Sequence, residues 1–171
     1  MNEDWPDRLA AAVRMARKVA VLAVGNPGRG DDAAGPYCAD LLKKRLRRPF
    51  AKRVLILNGR EVPENQTGPL RKFGPDLTVI IDAARGGSAP GTIFLIPRDK
   101  IADVGVSTHH VSLHFLVRYL QESIGSRVIV VGIEPDTLEE SAPLSREVKS
   151  AAVFLADSLS EALASLTRAR E

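Results

Sequence analysis

The feature that most constrains the fold is the alternation of short apolar runs with segments of helical periodicity along the chain. Residues 19–24 form a nearly continuous apolar run that ends in Gly25, which is typical of a strand buried on both faces. Further strands are predicted at residues 54–57, 77–81, 92–96 and 128–133, and helices at about residues 7–16, 36–48, 112–124 and from Ser145 onward. The alternation predicts an α/β fold layered around a mainly parallel sheet.

Proline and serine add detail to this arrangement. Prolines flank the fourth strand, which is typical of a strand at a sheet edge. Ser145 is a candidate cap for the last helix. Residues 63–75 are expected to form a loop-rich stretch. Because no linker divides the chain, residues 1–171 are expected to form one domain, with residues 1–18 as an N-terminal helical extension.

Composition excludes several classes of protein. With 44% hydrophobic and 26% charged residues, the chain resembles a globular protein and not a disordered one. No apolar run approaches the roughly 18 residues of a membrane span, and the first residues lack the features of a secretory signal, so no membrane association is expected. Cys38 is the only cysteine, which excludes an internal disulfide and a cysteine cage for a metal. We interpret it as a buried thiol in a reducing cytoplasm.

The small net charge of +3 does not indicate a nucleic-acid partner. The densest basic run, residues 43–48, lies where a helix should end, and cations are favourable there because of the helix dipole. The run has no interleaved aromatic residues. We therefore interpret it as a solvated helix end and expect no nucleic acid to bind.

Acidic residues follow two of the predicted strands. In sheets of this kind, ligands bind beyond the carboxyl ends of the strands. A glycine-rich loop after the first strand ends in Asp31 and Asp32, and Asp82 directly follows the third strand. The glycine spacing matches neither common phosphate-binding motif, and two carboxylates would compete with an anion for the helix N-terminus. A nucleotide site is therefore disfavoured.

Each of these acids also has a structural explanation. Asp31 or Asp32 could cap the following helix by accepting backbone N–H bonds, although both cannot occupy the cap. Asp82 could shape a turn. A carboxylate that ends a buried strand nevertheless bears a desolvation cost unless it is paired or binds a metal ion. One acid of the loop, together with Asp82, therefore remains a candidate for chemistry.

The three histidines of the chain, His109, His110 and His114, lie close together at the start of a predicted helix. His110 and His114 could share a helical face and bind zinc, but that face is the solvent side, which favours a surface pair. His109 precedes the helix and could point toward the strand ends. One imidazole with two carboxylates would form a metal site with open positions. The chain has neither the serine nucleophile motif nor the zinc-protease helix motif.

An ordered set of motifs resembles the hydrogenase maturation endopeptidases, which process the large subunits of nickel-iron hydrogenases. The motifs span residues 19–163 in the order found in that family, and each is weak alone while the set is specific. They are Gly25-Asn26 with Gly30-Asp31-Asp32 and Gly35-Pro36, Ile81-Asp82-Ala83-Ala84, Pro90-Gly91, Thr108-His109 with Ser112-Leu113, Gly132-Ile133-Glu134-Pro135, and Leu144-Ser145.

The resemblance implies a single three-layer domain, with a twisted five-stranded sheet between helices, and an endopeptidase of the aspartic type. It implies that Asp32, Asp82 and His109 contact a metal and that Asp32 and Asp82 are the catalytic carboxylates. Asp31 and His110 are secondary candidates. The metal would be nickel supplied by the substrate, a nickel-iron hydrogenase large-subunit precursor that loses its C-terminal tail. No organic cofactor is implied, and we expect a cytoplasmic monomer.

The chain departs from the family at one position of the glycine-rich loop. Ala33 stands where the family usually has glycine after the second acid. Since alanine adopts a positive φ only at a cost, either the backbone at Ala33 is helical or the loop differs.

Two other functions remain open on the sequence. One is a non-catalytic assembly factor that binds the same subunit or metal. The other is an unrelated metal-dependent hydrolase of small substrates. Because a protein substrate needs a docking surface, we also expect an exposed apolar rim near the crevice, with Val104, Val106 and residues 63–70 as candidates.

Overall fold

The computed structural model describes residues 4–46, 52–101 and 110–168. The strands are β1 (Val19–Val24), β2 (Val54–Arg60), β3 (Leu77–Ala83), β4 (Ile93–Ile96) and β5 (Arg127–Ile133). The α-helices are α1 (Trp5–Met15), α2 (Ala34–Arg45), α3 (Thr67–Phe73), α4 (His110–Tyr119) and α5 (Arg146–Arg168). A wider helical turn, Leu120–Ile124, extends α4. The predicted α/β alternation is confirmed.

The strands form one sheet in the order β2-β1-β3-β5-β4. All neighbours are parallel except β4, which runs antiparallel to β5. In register, Val21 of β1 lies between Ile56 of β2 and Val79 of β3. The edge position predicted for the fourth strand is confirmed. Because the four parallel strands end at one edge, the segments that follow β1 and β3 meet there.

Helices cover both faces of the sheet because the central strands are apolar on both sides. Every residue of β1 and β3 is buried. On one face, α1, α2 and α5 pack with Val19 and Val21 of β1. On the other face, α3 and α4 pack with Ala20 and Leu22. The predicted three-layer arrangement is therefore confirmed.

The N-terminal helix α1 contributes to the first of these two cores. Trp5, Leu9 and Val13 are buried on its inner face. The ring of Trp5 meets that of Phe154 in α5 edge to face, with centroids 5.9 Å apart. In the described ranges, α5 included, no helix is both long and apolar enough to cross a membrane.

The prediction of a loop-rich stretch at residues 63–75 is wrong. A short turn of 3-10 helix at Pro63–Gln66 leads directly into α3, which ends at Gly74 with a φ of 62°. Pro69 fits because the first helical turn needs no N–H from it. Tertiary packing offsets the weak local preference, since Leu70 of α3 is fully buried in the second core.

The same packing changes the expected apolar rim. Pro63 and Leu70 are buried, so residues 63–70 do not form an exposed apolar surface as a whole. The neighbouring Val62 is the exposed apolar residue there, at 50% relative exposure. Val104 and Val106 lie outside the described residues.

Gly35 sets how closely α2 approaches the sheet. A Cβ atom at this position would lie 2.3 Å from the Val24 carbonyl oxygen and 2.7 Å from that of Ile81. Both contacts are to backbone in the central strands, which cannot rotate away. The first turn of α2 therefore sits directly against the carboxyl ends of β1 and β3.

We predict that Gly35→Ala lowers the free energy of unfolding by more than about 2 kcal/mol, because overpacking at rigid backbone cannot relax. Gly68→Ala in α3 is the matched control, since nothing lies within 4 Å of a Cβ there. We expect that variant to be neutral or slightly stabilised, because alanine favours the helix. Urea unfolding of both variants measures the difference, and equal stabilities would contradict the prediction.

Candidate active site

Asp82 is the second-last residue of β3, so it lies within the sheet and not in the loop that follows it. β3 continues to Ala83, so Asp82 is still paired in register with Gly132 of β5. The side chain is only 2% exposed. Within the described part of the chain, its Oδ1 atom has no hydrogen-bond partner. A buried carboxylate oxygen in this condition is costly unless a proton or a cation occupies it.

Asp32 lies opposite, in the 3-10 turn Gly30–Ala33 that connects β1 to α2. It is 1% exposed, and its Oδ2 accepts a hydrogen bond from the backbone N–H of Asn26 at 3.0 Å. Gly25 makes this fold of the loop feasible. Its φ is 132°, and a Cβ there would lie 1.9 Å from the carbonyl oxygen of Asp32.

The two carboxyl groups interact electrostatically. The pKa of Asp82 is raised to about 8, mainly by burial and also by the nearby charge of Asp32, while a hydrogen bond from the Ala83 backbone offsets part of the rise. Asp82 therefore carries a proton at neutral pH, beside a second buried acid. A carboxylic acid that keeps its proton beside a second acid suits acid–base chemistry, and a cation between the two groups would remove the repulsion.

Asp31 has different hydrogen-bond partners from Asp32. It is fully buried, and its carboxylate accepts backbone N–H bonds from Asp136 at 2.8 Å, Thr137 at 3.0 Å and Ser145 at 2.7 Å. These bonds attach the loop after β1 to the segment between β5 and α5. Because both carboxylate oxygens are engaged in this way, the geometry favours a structural role for Asp31.

The predictions that Asp31 or Asp32 caps α2 and that Ser145 caps α5 are wrong, because none of the expected side-chain cap bonds is present in the described residues. Neither Asp31 nor Asp32 caps α2, whose N-cap position is Ala33 and has no side-chain cap bond. Ser145 does precede α5, but its Oγ has no hydrogen-bond partner among the described residues. Asp31 instead accepts long-range N–H bonds, and Asp32 accepts the N–H of Asn26 within its own loop. Ala33 itself has a φ of −72°, so the helical alternative for this position is confirmed and glycine is not needed.

Two polar groups at the same edge were assigned no role from the sequence, although Glu134 is part of one of the family motifs. Glu134 follows β5, is 4% exposed, and accepts N–H bonds from Gly86 at 2.6 Å and Ser88 at 3.1 Å, which shapes the loop after Asp82. Asn58, near the end of β2, has a buried Oδ1 with no hydrogen-bond partner within the described ranges. Both are polar residues near the end of an apolar strand, the same pattern that identified Asp82.

The predicted histidines are only partly visible. His109 lies outside the described residues, and of His110 only the backbone, at the start of α4, is described. His114 is exposed and its ring meets that of Phe115 with centroids 6.0 Å apart, as expected for a surface residue. Across the described ranges, no group of three potential metal-binding side chains is present. The described part of the site is therefore the Asp32–Asp82 pair.

Cys38 takes no part in this site. It is fully buried in α2, and burial raises the pKa of its thiol to about 12, so it is neither a thiolate nucleophile nor a ligand at neutral pH. The interpretation of a buried structural thiol is confirmed.

A cleft of about 810 Å³ lies at the opposite end of the sheet and is lined by several basic residues. Lys18 donates from Nζ to the Phe73 carbonyl at the end of α3, and Arg53 donates from Nη1 to the Leu166 carbonyl near the end of α5. These cations complete helix C-termini, where the dipole favours positive charge. The cleft therefore has a structural explanation.

Comparison with known proteins identifies the family to which this chain belongs. The family described as HycI, hydrogenase maturation protease, matches residues 36–162. The chain belongs to the hydrogenase maturation protease family. A hydrogenase 3 maturation protease of Escherichia coli K12 is 37% identical over 132 residues, which cover 77% of this chain and 81% of the relative. This hydrogenase maturation protease is accordingly a peptidase, as expected from its sequence.

Solved structures of related proteases share its fold. The crystal structure of the nickel-iron hydrogenase maturation protease HycI from Thermococcus kodakarensis KOD1 is similar with a TM-score of 0.82, 32% identity, and coverage of 92% of this chain and 99% of that one. The solution structure of the endopeptidase HycI from Escherichia coli has a TM-score of 0.73 and 30% identity, and the match covers 84% of this chain and 90% of that one. The five-stranded α/β fold is therefore that of the family.

The raised pKa of Asp82 makes the stability of this protease depend on pH. The carboxyl keeps its proton up to about pH 8 when folded and loses it near 3.8 when unfolded, so its stabilising contribution is complete below 3.8 and is lost as pH rises toward 8. We predict that the free energy of unfolding falls over this interval, and that Asp82→Asn flattens the fall. Urea unfolding at several pH values tests this. Asp40→Asn, at an exposed position of α2, should keep the wild-type slope.

We also predict that Asp31→Ala destabilises the fold by about 3 kcal/mol or more, because three partly buried N–H groups lose their charged acceptor. Asp82→Asn should cost much less, since it removes a desolvated acid. Denaturant midpoints for the two variants provide the comparison. A stable Asp31→Ala protein would show that the carboxylate does not hold the two segments together.

Proposed function

We propose that this peptidase removes the C-terminal tail of a nickel-loaded large-subunit precursor of nickel-iron hydrogenase. The observation that carries the proposal is the buried Asp82 carboxyl, whose Oδ1 lacks a hydrogen-bond partner in the described residues, beside Asp32 at the carboxyl edge of the sheet. Family membership supplies the reaction class. The relatives are named as hydrogenase maturation proteases, which supports a hydrogenase precursor as the substrate here.

Nickel belongs to the substrate in this proposal. Asp32, Asp82 and His109 approach it from the enzyme side, as two oxygen ligands and one imidazole nitrogen, a set that suits a divalent transition metal with positions left for the substrate. Burial and then the charge of Asp32 raise the pKa of Asp82, and a cation between the two acids offsets the repulsion. An unloaded precursor provides no such cation, so the enzyme distinguishes the two forms of its substrate.

Two chemistries for the cut are consistent with this site. In one, the metal polarises the scissile carbonyl or the attacking water. In the other, Asp32 or Asp82 takes a proton from water while the metal only positions the peptide. In both cases the fixed Asn26–Asp32 hydrogen bond and the surrounding sheet hold the carboxylates in place. We further propose that the enzyme acts as a monomer in the cytoplasm, where Cys38 stays reduced.

We predict that Asp32→Asn, Asp82→Asn and His109→Ala each slow processing of a nickel-loaded precursor by about 100-fold or more, because each removes a group at the reacting centre. His114→Ala is the matched control, since this histidine is exposed on α4, and it should process at the wild-type rate. The mass of the large subunit before and after incubation measures loss of the tail.

The same assay tests the proposal as a whole. If the wild-type enzyme leaves the loaded precursor at full mass while binding it, the chain acts as a non-catalytic assembly factor on this substrate. If His109→Ala processes the precursor at the normal rate, the shared-metal arrangement is wrong. Removal of the tail from an unloaded precursor at the same rate would contradict the proposed dependence on nickel.

A further inference from the structure

As far as the structure describes the chain, the outer edge of β2 carries backbone groups without a partner. Val19 donates its N–H to the Arg53 carbonyl at 2.8 Å, and Val19 and Val21 stand opposite Val54 and Ile56 in register. In a parallel ladder, bonding to one neighbour uses alternate residues, so Leu55 and Leu57 bond toward β1. The N–H and C=O groups of Ile56 and Asn58 point away from the sheet. Within the described ranges, no other part of the chain bonds to them.

This edge also lacks the usual protection against strand pairing. Proteins normally shield edge strands with charges, prolines or short length. β2 is seven residues long, and its sequence has neither proline nor charge before Arg60. Leu55, Ile56 and Leu57 are each only partly buried. The other edge strand, β4, has four residues and is followed directly by Pro97.

The open edge leads directly to the active site. The carbonyl of Arg60, the last residue of β2, accepts the N–H of Gly25 at 3.0 Å, and Gly25 begins the loop that carries Asp32. A register shift between Ala23 and Val24 accompanies this contact, and Arg60 has a φ of 50°. A non-glycine residue in this region is strained, which is typical of positions near functional sites. The edge and the catalytic loop are therefore one continuous surface.

We propose that an extended segment of the precursor pairs with the outer edge of β2 as a sixth strand and so delivers its tail to the aspartates. The inference rests on the proposed function, because a peptidase needs its substrate in extended form near the cut. Addition of a peptide strand to an open sheet edge is a general mode of peptide recognition, in which backbone hydrogen bonds supply affinity.

Strand spacing sets the length of the segment between the edge and the cut. Neighbouring strands lie about 4.8 Å apart, so a sixth strand is about 14 Å from β3, which carries Asp82. An extended chain covers about 3.3 Å per residue, so roughly four residues separate the paired segment from the scissile bond. The substrate residues paired to β2 are therefore outside the immediate cleavage site.

Residue-resolved amide hydrogen exchange tests the pairing on the intact chain. The Asp32→Asn variant is mixed with nickel-loaded precursor to hold the complex uncut. The amides of Ile56 and Asn58 should exchange at least about tenfold more slowly in the complex. Leu55 and Leu57 are internal controls, because β1 already protects their amides and their exchange should not change.

Three outcomes would overturn the proposal. One is a complex in which Ile56 and Asn58 exchange as in the free chain, and another is no complex at all. The third is protection that grows with the concentration of the chain alone, which would assign the edge to a second copy. Cleavage by the wild-type enzyme is measured in parallel. Cleavage without protection removes only the edge proposal, whereas a wild-type enzyme that does not cleave removes the proposed function as well.

A variant pair separates backbone pairing from side-chain packing. Ile56→Pro deletes one outward N–H without touching the bonds to β1, and proline is tolerated at an edge where its missing N–H faces away from the sheet. We expect KM for the precursor to rise about five- to tenfold with kcat nearly unchanged, as for one lost hydrogen bond. Ile56→Val keeps the N–H at a similar side-chain volume and should retain the wild-type KM. Equal KM values for the two variants would contradict pairing at this position.

Discussion

The carboxylate of Asp31 is the interaction on which the active-site edge depends. It accepts three backbone N–H groups from a segment more than one hundred positions later in the chain. Without this acceptor, the N–H groups of Asp136, Thr137 and Ser145 would lose their partner, and the loop after β1 would lose its attachment to that segment. Once Asp31 is held by these bonds, Asp32 has a defined position toward Asp82. Two adjacent acids thus have different partners, Asp31 the distant N–H groups and Asp32 the Asn26 N–H and the Asp82 carboxyl.

The Asp32–Asp82 pair shows the opposite balance. Both side chains are almost completely buried, and the burial and mutual charge that raise the pKa of Asp82 both oppose ionisation. Such an arrangement costs folding free energy and persists because rigid neighbours impose it. Gly35 brings α2 against the carbonyl groups of Val24 and Ile81, so the backbone beneath both acids has no room to relax. The fold therefore keeps the carboxyl groups of Asp32 and Asp82 in an unfavourable arrangement, which a cation bound between them would stabilise.

The carboxyl edge of the sheet and the side edge of β2 meet at the contact between Gly25 and Arg60. Because of this contact, the Asp32–Asp82 site and the proposed binding edge of β2 lie next to each other on the same sheet. The loop that carries Asp32 leaves β1 beside the end of β2. In the proposed complex, β2 both binds the peptide of the precursor and contacts the loop that carries Asp32.

Local sequence patterns determined most of the architecture. The bounds of β1, the positions of the other strands and the edge location of β4 follow from apolar runs and flanking prolines, because these preferences act over a few residues. The same patterns brought Asp32 and Asp82 to one edge, since parallel strands must end together. Ordered motifs identified the family, and the match to known maturation proteases confirmed it.

Tertiary structure alone decided what each of these residues contacts. It made α3 a helix by burying Leu70, in a stretch whose glycine and prolines favour a loop. It assigned Asp31 to distant N–H groups and left Asp32 beside Asp82, although the two residues are adjacent and chemically identical. Local pattern could not separate them because the distinguishing partners lie after β5. Which acid holds the two segments together and which lies beside Asp82 was decided only by tertiary contacts between distant parts of the chain.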